Sequence, residues 1–167
     1  MSDLTKDEAR LLEAFRVKML SATVKSINDG RERGFFIYLE NGKFKSTPIR
    51  VGSEFEVKLS KQTKQFRTNR PDVLISFHTH SGTEITPLST PSDGDIRHAI
   101  HSTENVMCIG NVEAPEDPEP YVDCYRVDEE TGACTLLSTL RWKPSSIQTK
   151  LQKTTERRKI PKAVSYV

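Results

Sequence analysis

Two histidines and an aspartate have the residue types and the spacing of a metal site. His78 and His80 are separated by one residue, and Asp95 follows them in the same polar stretch. Imidazole nitrogens with one carboxylate, and a fourth position left to water, are the ligand set of a catalytic zinc, whereas a structural zinc is usually enclosed by four ligands, often thiolates. A His-x-His pair alone is often only polar surface at a strand end, so the surrounding sequence decides between the two interpretations.

The neighbouring residues predict elements that bring these ligands together. The apolar run 73–77 is typical of a buried strand and ends at the two histidines. Because side chains two residues apart on a strand point to the same face, both imidazoles can converge on one ion. Ser92 or Asp93 then predicts a helix start, with Asp95 in the first helical turn. A strand end and a helix start therefore present two nitrogens and one carboxylate.

Several classes of metal hydrolase that use His-x-His are excluded by length or by neighbouring residues. A (β/α)8 amidohydrolase needs roughly 250 residues, and this chain has 167. A site like that of the metallo-β-lactamases is expected to continue into a further Asp-His, but Ser81, Gly82 and Thr83 follow the pair. A zinc nucleoside deaminase would carry His-x-Glu and a later Pro-Cys-x-x-Cys, and the sequence contains neither motif.

The stretch resembles the signature of the JAMM/MPN (Mov34/JAB-type) zinc metalloproteases, in their prokaryotic and archaeal branch. That signature is His-x-His, a spacer and Ser-x-x-Asp, with a glutamate well upstream. Here His78 and His80 are followed by an eleven-residue spacer and then by Ser92 and Asp95 at the Ser-x-x-Asp spacing. The spacer is longer than the commonest form, and Ser81 stands where eukaryotic members usually carry proline. Both departures lie in the loop over the site. We therefore expect them to affect substrate preference more than the chemistry of the reaction.

The resemblance calls for a glutamate after the first helix, and two candidates flank the first predicted strand. Glu32 stands at the mouth of the buried run 34–39, where a carboxylate would be held rigidly. Glu40 stands at the other end, where the adjacent Asn41 and Gly42 explain it as a turn residue. Either glutamate alone would be an ordinary surface charge. Given the downstream motif, we favour Glu32 over Glu40 as the functional residue.

The resemblance implies hydrolysis of a peptide or isopeptide bond, typically at the C-terminus of ubiquitin or a ubiquitin-like protein. Zinc on His78, His80 and Asp95 would lower the pKa of its bound water toward ~7 and polarise the scissile carbonyl. Glu32 would accept the proton of that water and pass it to the leaving amine. Ser92 would donate a hydrogen bond to the tetrahedral oxyanion. We therefore expect a zinc cofactor and a ubiquitin-like conjugate as substrate.

Three alternatives stay open. The first is an enzyme of the same fold that acts on another amide, such as a small peptide or a sulfur-carrier conjugate. The second is a binding module, because many MPN domains have lost the ligands and serve as scaffolds, although the full ligand set here argues against such a loss. The third is a nucleic-acid partner for the basic end of the chain. We do not favour it, because that end has no aromatic residues interleaved with its charges in the way of a nucleic-acid site. The sequence indicates no oligomeric state.

Composition favours one domain of ordinary size. The chain is 35% hydrophobic and 29% charged with a formal net charge of +2, and its length is sufficient to bury a core. No apolar run approaches the ~20 residues of a membrane span, and the charged N-terminus is unlike a signal peptide. We therefore expect a cytoplasmic protein with no membrane partner. Its three cysteines lack any Cys-x-x-Cys spacing, so we expect them to be buried rather than bound to metal or paired.

Periodicity predicts an α/β fold around one mixed central sheet flanked by helices. Thr5 and Glu8 form a predicted capping box that opens an amphipathic helix ending near residues 28–30. The helix that starts at residues 92–93 separates the strands 73–77 and 106–110, as in an α/β layer. The other predicted strands are 34–39, 44–51, 55–59, 121–127 and 133–142. The resemblance implies a JAB/MPN-like domain over residues 1–143 with cytidine-deaminase-like layering, and we expect a C-terminal helix and basic tail over 144–167.

Several polar stretches are predicted to be exposed. The basic run after residue 59 is interpreted as a solvated face, and the proline-rich acidic stretch 113–120 as a loop, because proline disrupts helix and strand interiors. The stretch 156–162 has no apolar period and is predicted to be a mobile tail. His98 and His101 lie three residues apart on the predicted helix. We interpret both as helix-surface residues.

Overall fold

The computed structural model describes residues 3–53, 57–80, 91–114, 117–142 and 163–164. They form an α/β arrangement in which helices flank one mixed sheet, as the sequence predicts. The elements are, in chain order, α1 (Lys6–Ala14), α2 (Arg16–Asp29), β1 (Arg33–Glu40), β2 (Lys43–Ser46), β3 (Arg50–Val51), α3 (Ser60–Thr68), β4 (Val73–Thr79), α4 (Asp93–Ser102), β5 (Val106–Ala114), β6 (Asp117–Val127), β7 (Cys134–Leu140) and β8 (Ala163–Val164). None of these described helices is long and apolar enough to cross a membrane.

The sheet is mixed because one of its strand pairs is parallel. Its strand order is β2-β1-β4-β5-β6-β7-β8, with β3 paired to β1 beside β2. Among the described pairs, β4 and β5 run parallel, and the remaining pairs are antiparallel. A parallel pair needs a crossover connection, and α4 lies on the connection from β4 to β5. The register places Gly34 of β1 opposite His78 of β4, and Gly110 of β5 opposite Thr79.

The two faces of the sheet are covered differently. The face under α1 and α2, here called the apolar face, carries the largest described cluster of buried hydrophobic side chains. Its members include Leu11, Leu12, Met19, Leu20, Phe35, Ile37, Ile75, Phe77, Cys108, Val122 and Cys124. The face under α3 and α4, here called the site face, carries two smaller clusters. One contains Ile96, Ala99, Met107, Ile109, Tyr125 and Cys134, and the other Phe36, Leu59, Phe66 and Leu74. Alternation along each strand explains the division, since neighbouring residues point to opposite faces.

The N-terminal region forms two helices rather than the single predicted helix. The predicted capping box is confirmed, with Thr5 and Glu8 each bonding the backbone of the other. The helix breaks at Phe15, whose φ of −113° and ψ of 14° are not helical. Periodicity did not reveal the break, because the buried residues on both sides of it still face the sheet. The predicted end is confirmed at Gly30, which has the left-handed φ of 69° favoured at helix C-termini.

The basic run is a helix, which the sequence did not predict. Residues 57–59 have no regular structure, so the predicted strand 55–59 is wrong where it is described, and residues 54–56 lie outside the described part. Helix α3 follows and buries Thr63 and Phe66 against the site face, with 5% and 4% of their surface exposed. Two inward residues in one short helix give too weak a periodicity to be distinguished from a solvated run.

The acidic stretch predicted as a loop instead belongs largely to β5 and β6. Val112 pairs with Pro120, and Ala114 with Asp117, while residues 115–116 lie outside the described part. Strand β7 pairs with β6 only from Val122 onward in the described residues. Among the described strands, the prolines of β6 at 118 and 120 therefore have a neighbour on one side alone, and an edge position tolerates a residue that lacks an N–H.

The remaining predictions concern turns, cysteines and the C-terminal end. The hairpin turn at Asn41 and Gly42 is confirmed, with φ of 53° and 75°, but the predicted strand 44–51 is interrupted between β2 and β3. The hairpin of β6 and β7 is confirmed, and all three cysteines are free and buried. The predicted final helix from Pro144 and the tail 156–162 lie outside the described residues. Beyond them, β8 pairs with β7.

Candidate metal centre

Strand β4 brings the two histidines of the motif to the same face of the sheet. His78 lies within the strand, and His80 follows its end, where its backbone N–H donates to the carbonyl of Gly110 at 3.1 Å. Thr79 points to the opposite face, where its fully buried hydroxyl donates to Ser26 Oγ at 2.8 Å. Anchored in this way, the Nε2 atoms of His78 and His80 lie 3.2 Å apart.

The N-terminus of α4 supplies the carboxylate. Ser92 is the N-cap residue, and its hydroxyl oxygen accepts the backbone N–H of Asp95 at 3.1 Å. In return, the Ser92 backbone N–H donates to Asp95 Oδ2 at 2.9 Å, which completes a capping box. The two oxygens of Asp95 reach the two imidazoles, with Oδ1 at 3.1 Å from His78 Nε2 and Oδ2 at 3.1 Å from His80 Nε2. The helix cap therefore fixes the carboxylate against both histidines.

Mutual electrostatics favour the charged form of this carboxylate. Burial alone would raise the pKa of Asp95, but the charge and hydrogen bond of His78, followed by those of His80, hold it far below its usual range. Burial alone would likewise lower the pKa of His78, but Asp95, with a contribution from the charge of Glu32, raises it. The aspartate is thus deprotonated near neutral pH, as metal coordination requires.

The three side chains lie close enough together to share one metal ion. One ligand atom from each of His78, His80 and Asp95 lies within 4.8 Å of the other two. Ligand atoms held ~2.0–2.1 Å from a tetrahedral zinc ion lie roughly 3.3 Å from one another. The nitrogen–nitrogen distance of 3.2 Å agrees with that spacing, and each nitrogen has its own oxygen of Asp95 at 3.1 Å, Oδ1 for His78 and Oδ2 for His80. The three residues can therefore hold a metal ion, and three protein ligands leave one position for water or substrate.

Glu32 lies at the same cavity as the ligands. A cavity of about 220 Å³ on the site face is lined by Glu32 together with His78 and Asp95. Two backbone hydrogen bonds of 2.8 Å hold the residue, from Glu32 N–H to the carbonyl of Ser53 and from Gly52 N–H to the carbonyl of Glu32. These hydrogen bonds fix the backbone of Glu32 beside the cavity that His78 and Asp95 also line.

Glu40, the other candidate, lies away from the cavity. The register pairs Gly34 with His78, and Glu40 is six residues further along β1, a distance of roughly 20 Å for an extended strand. Its carboxylate pairs instead with Lys45 at 3.1 Å. The structure thus brings Glu32, and not Glu40, to the histidines and the aspartate.

The sequence interpretation missed His98 as a residue of this cavity. His98 is half-buried on α4 and lines the cavity, so its expected position on the outer surface is wrong, whereas His101 is exposed beside Arg67. The ring of His98 lies 6.1 Å from that of Phe36, and His98 Nε2 lies 3.2 Å from Thr63 Oγ1. The available signal was its position three residues after Asp95, which puts both side chains on one side of the helix.

Glu104 is a second titratable group that the sequence did not indicate. It follows α4, and both of its carboxylate oxygens are buried. Burial raises the pKa of Glu104 to about 7, although the nearby hydroxyls of Ser76 and Ser102 and the charge of His78 act in the opposite direction. A polar residue after a helix is ordinarily exposed, so only the folded chain reveals this buried carboxyl group close to the candidate ligands.

No protein-family model matches this chain, and no curated protein matches it either. The chemistry of the centre is therefore inferred from its own residues. A metal ion with an open position, beside a carboxylate that is not one of its ligands, is an arrangement that can activate water against a polarised carbonyl.

Proposed function

We propose that the chain is a zinc-dependent hydrolase of the JAMM/MPN type, which cleaves a peptide or isopeptide bond at the C-terminus of a ubiquitin-like protein. The observation that carries the proposal is that His78, His80 and Asp95 each offer one ligand atom within 4.8 Å of the other two, beside a cavity that Glu32 also lines. Two imidazoles and one carboxylate suit zinc with an open fourth position. When bound, zinc lowers the pKa of water toward ~7 and polarises a carbonyl.

Glu32 has the position of a general base in this reaction. Its carboxylate accepts a proton from the attacking water and delivers that proton to the leaving amine, so that each turnover returns Glu32 to its starting state. The backbone hydrogen bonds of Glu32 to Gly52 and Ser53 limit its movement during this transfer. Limited movement matters because a proton is transferred efficiently only within hydrogen-bonding distance.

Ser92 serves two purposes in the proposal. Its hydroxyl oxygen already accepts the N–H of Asp95, which fixes the ligand. Accepting that bond leaves the hydroxyl proton available for donation. In the reaction, this O–H donates to the oxyanion that develops on the scissile carbonyl.

The JAB/MPN-like fold and its cytidine-deaminase-like layering belong to the same proposal. In support, helices lie on both faces of the mixed sheet, His78 lies in an interior strand, and Asp95 lies in the first turn of the following helix. The complete ligand set, with Glu32 at the cavity, favours an enzyme over a scaffold module. The resemblance of the motif supports a ubiquitin-like substrate over another amide, such as a small peptide or a sulfur-carrier conjugate.

The test uses two substrates that present the same tail in different bonds. Diubiquitin joined by an isopeptide bond and ubiquitin extended at its C-terminus by a peptide are incubated with zinc-loaded protein, with and without a chelator. We expect cleavage of at least one substrate, loss of cleavage with the chelator, and recovery when zinc is added back. Cleavage that continues at full rate without metal contradicts the zinc mechanism. Zinc binding without cleavage of either substrate, or of a short Gly-Gly amide, favours the scaffold alternative.

A further inference from the structure

His98 extends the proposed active site beyond the residues of the metal motif. It lies three residues after Asp95 on α4, and its ring lines the cavity that Glu32, His78 and Asp95 also line. Side chains three apart on a helix are neighbours on one face. The ring of His98 therefore stands beside the space that a substrate must enter to reach the ligands.

The hydrogen bonds of Thr63 favour one of the two nitrogens of His98 as the one that carries the proton. The Thr63 hydroxyl donates its single proton to the carbonyl of Leu59 at 3.0 Å. Its oxygen, 3.2 Å from His98 Nε2, must therefore accept a hydrogen bond from that nitrogen. A neutral imidazole has one donor and one acceptor nitrogen. With the proton on Nε2, Nδ1 is the acceptor, and no described residue donates to it.

The surroundings keep the ring neutral and in place. Burial, followed by the charge of His78, lowers the pKa of His98. The ring of His98 lies beside that of Phe36, and Thr63 has only 5% of its surface exposed. An imidazole with a fixed tautomer and a fixed neighbour presents its free acceptor in a defined direction.

The cavity combines this acceptor with apolar walls. Val57, Leu59 and Met107 supply apolar surface around a volume of about 220 Å³, which is smaller than the ~300–1,000 Å³ of typical small-molecule sites. Such a space suits a short segment of a chain rather than a whole ligand. A peptide segment brings the matching donor, since each residue other than proline has a backbone N–H.

We propose that His98 forms a substrate subsite, in which Nδ1 accepts a hydrogen bond from an amide N–H of the substrate chain beside the scissile bond. This inference rests on the proposed function and deepens it, because it adds a residue that contacts substrate outside the metal motif. The role of Thr63 is positioning, since it acts on substrate only through His98.

The first test needs no substrate. Nitrogen-15 NMR of the histidine rings, with and without zinc, should show the proton of His98 on Nε2 in the wild-type protein. Thr63→Ser keeps the accepting hydroxyl and should keep this tautomer, whereas Thr63→Val removes it and should give a mixture. A wild-type His98 that carries its proton on Nδ1 overturns the inference.

The second test compares two substitutions that each keep one nitrogen position. Asparagine places its amide near the position of Nδ1, and glutamine places its amide near that of Nε2. With diubiquitin and the peptide-extended ubiquitin as probes, His98→Gln should lower kcat/KM by ~3- to 10-fold, the effect of one lost hydrogen bond, mainly through KM. His98→Asn should keep more of kcat/KM than His98→Gln, and His101→Gln should leave it unchanged.

The outcomes separate this inference from the proposed function. If the wild type cleaves a probe and His98→Gln cleaves it equally well, or if His98→Asn is the more impaired variant, His98 has only a structural role and the inference is wrong. If the wild type binds zinc and cleaves neither probe, the proposed function fails. The tautomer measurement then still decides whether Nδ1 is the open acceptor. Zinc content and circular dichroism, measured on every variant, should match the wild type.

Discussion

The two faces of the sheet differ in what they bury. The apolar face is closed by α1 and α2 over a continuous hydrophobic cluster, in which Phe35 and Phe77 are fully buried. The site face carries two separate clusters, one under α4 that includes Met107 and one under α3 that includes Leu59. The cavity is lined by these two residues together with Ser76, His78 and His98. Hydrophobic burial on one face thus accompanies a cavity with titratable groups on the other.

Under the proposed function, this difference separates the source of stability from the source of chemistry. A close-packed apolar face supplies much of the free energy of folding and tolerates few changes of volume. A face that buries polar groups around a cavity forgoes part of that free energy and gains groups that can bind metal and substrate. Changes to the two faces should therefore fail in different ways: the first in stability and the second in activity.

Glu32→Gln should have the largest effect, and it should be confined to activity. The substitution keeps the volume and the proposed metal ligands but removes the basic oxygen, so kcat should fall by ~10²- to 10⁴-fold while zinc content and Tm stay near those of the wild type. Glu40→Gln, at the far end of β1, is the matched control, and it should change kcat less than about threefold, since a partly exposed charge pair contributes little. A fully active Glu32→Gln with an inactive Glu40→Gln would reverse the assignment.

Phe35→Ala should show the opposite pattern. Removal of a fully buried aromatic ring from the apolar face should lower the free energy of unfolding by ~3–5 kcal/mol, while the folded fraction still binds zinc. Phe66→Ala on the site face is the comparison, because Phe66 packs α3 beside the cavity. We expect it to destabilise the fold less and to impair activity in molecules that remain folded. Denaturant unfolding monitored by circular dichroism measures the stability of both variants. Equal losses of stability in the two variants would contradict the division between the faces.

Gly110→Ala tests how closely the apolar face is packed. A Cβ atom on Gly110 would overlap Thr23 Oγ1 and would meet the Phe77 ring at 3.2 Å. The overlap should cost ~1–3 kcal/mol of stability. Thr23→Ala removes the closest atom. In a protein that already carries Thr23→Ala, the further change Gly110→Ala should therefore cost little additional stability. Purely additive losses would show that helix α2 does not press on the strand at this point.

Glu104 predicts a pH dependence that comes from the site face. Its pKa is raised in the folded protein to about 7 from an ordinary 4.5, so the folded state binds this proton more tightly than the unfolded state does. The resulting stability is fully present below pH ~4.5 and is lost as the pH rises through ~7. In metal-free protein, Glu104→Gln should remove this loss, which we expect to be about 1–3 kcal/mol. Identical pH profiles for the variant and the wild type would contradict a buried, protonated Glu104.

The sequence predicted those parts of the fold that local chemistry determines. Thr5 with Glu8, and Ser92 near Asp95, mark helix starts through side chains that bond their own backbone. Asn41 before Gly42 marks a turn that needs two left-handed residues. The proposed ligands were recognisable for the same reason, since they lie at a strand end and in a first helical turn.

Features that depend on distant neighbours were missed or predicted wrongly. Helix α3 is held by Phe66 packing on Phe36 and Tyr38, contacts that a basic run does not reveal. Pro120 can lie in β6 because, among the described residues, β6 pairs with β7 only from Val122 onward. The contact of His98 with Thr63 likewise depends on α3, so it could not be inferred without that helix.

Metal content is the most direct test of the central claim, that His78, His80 and Asp95 hold one zinc ion on the site face. After dialysis against zinc and removal of free metal, elemental analysis should give one zinc per wild-type chain. His80→Ala should leave less than about a tenth of that amount, with the circular dichroism of the wild type, because a catalytic site is not the main support of the fold. A His80→Ala protein that keeps a full equivalent of zinc would contradict the ligand assignment and the mechanism built on it.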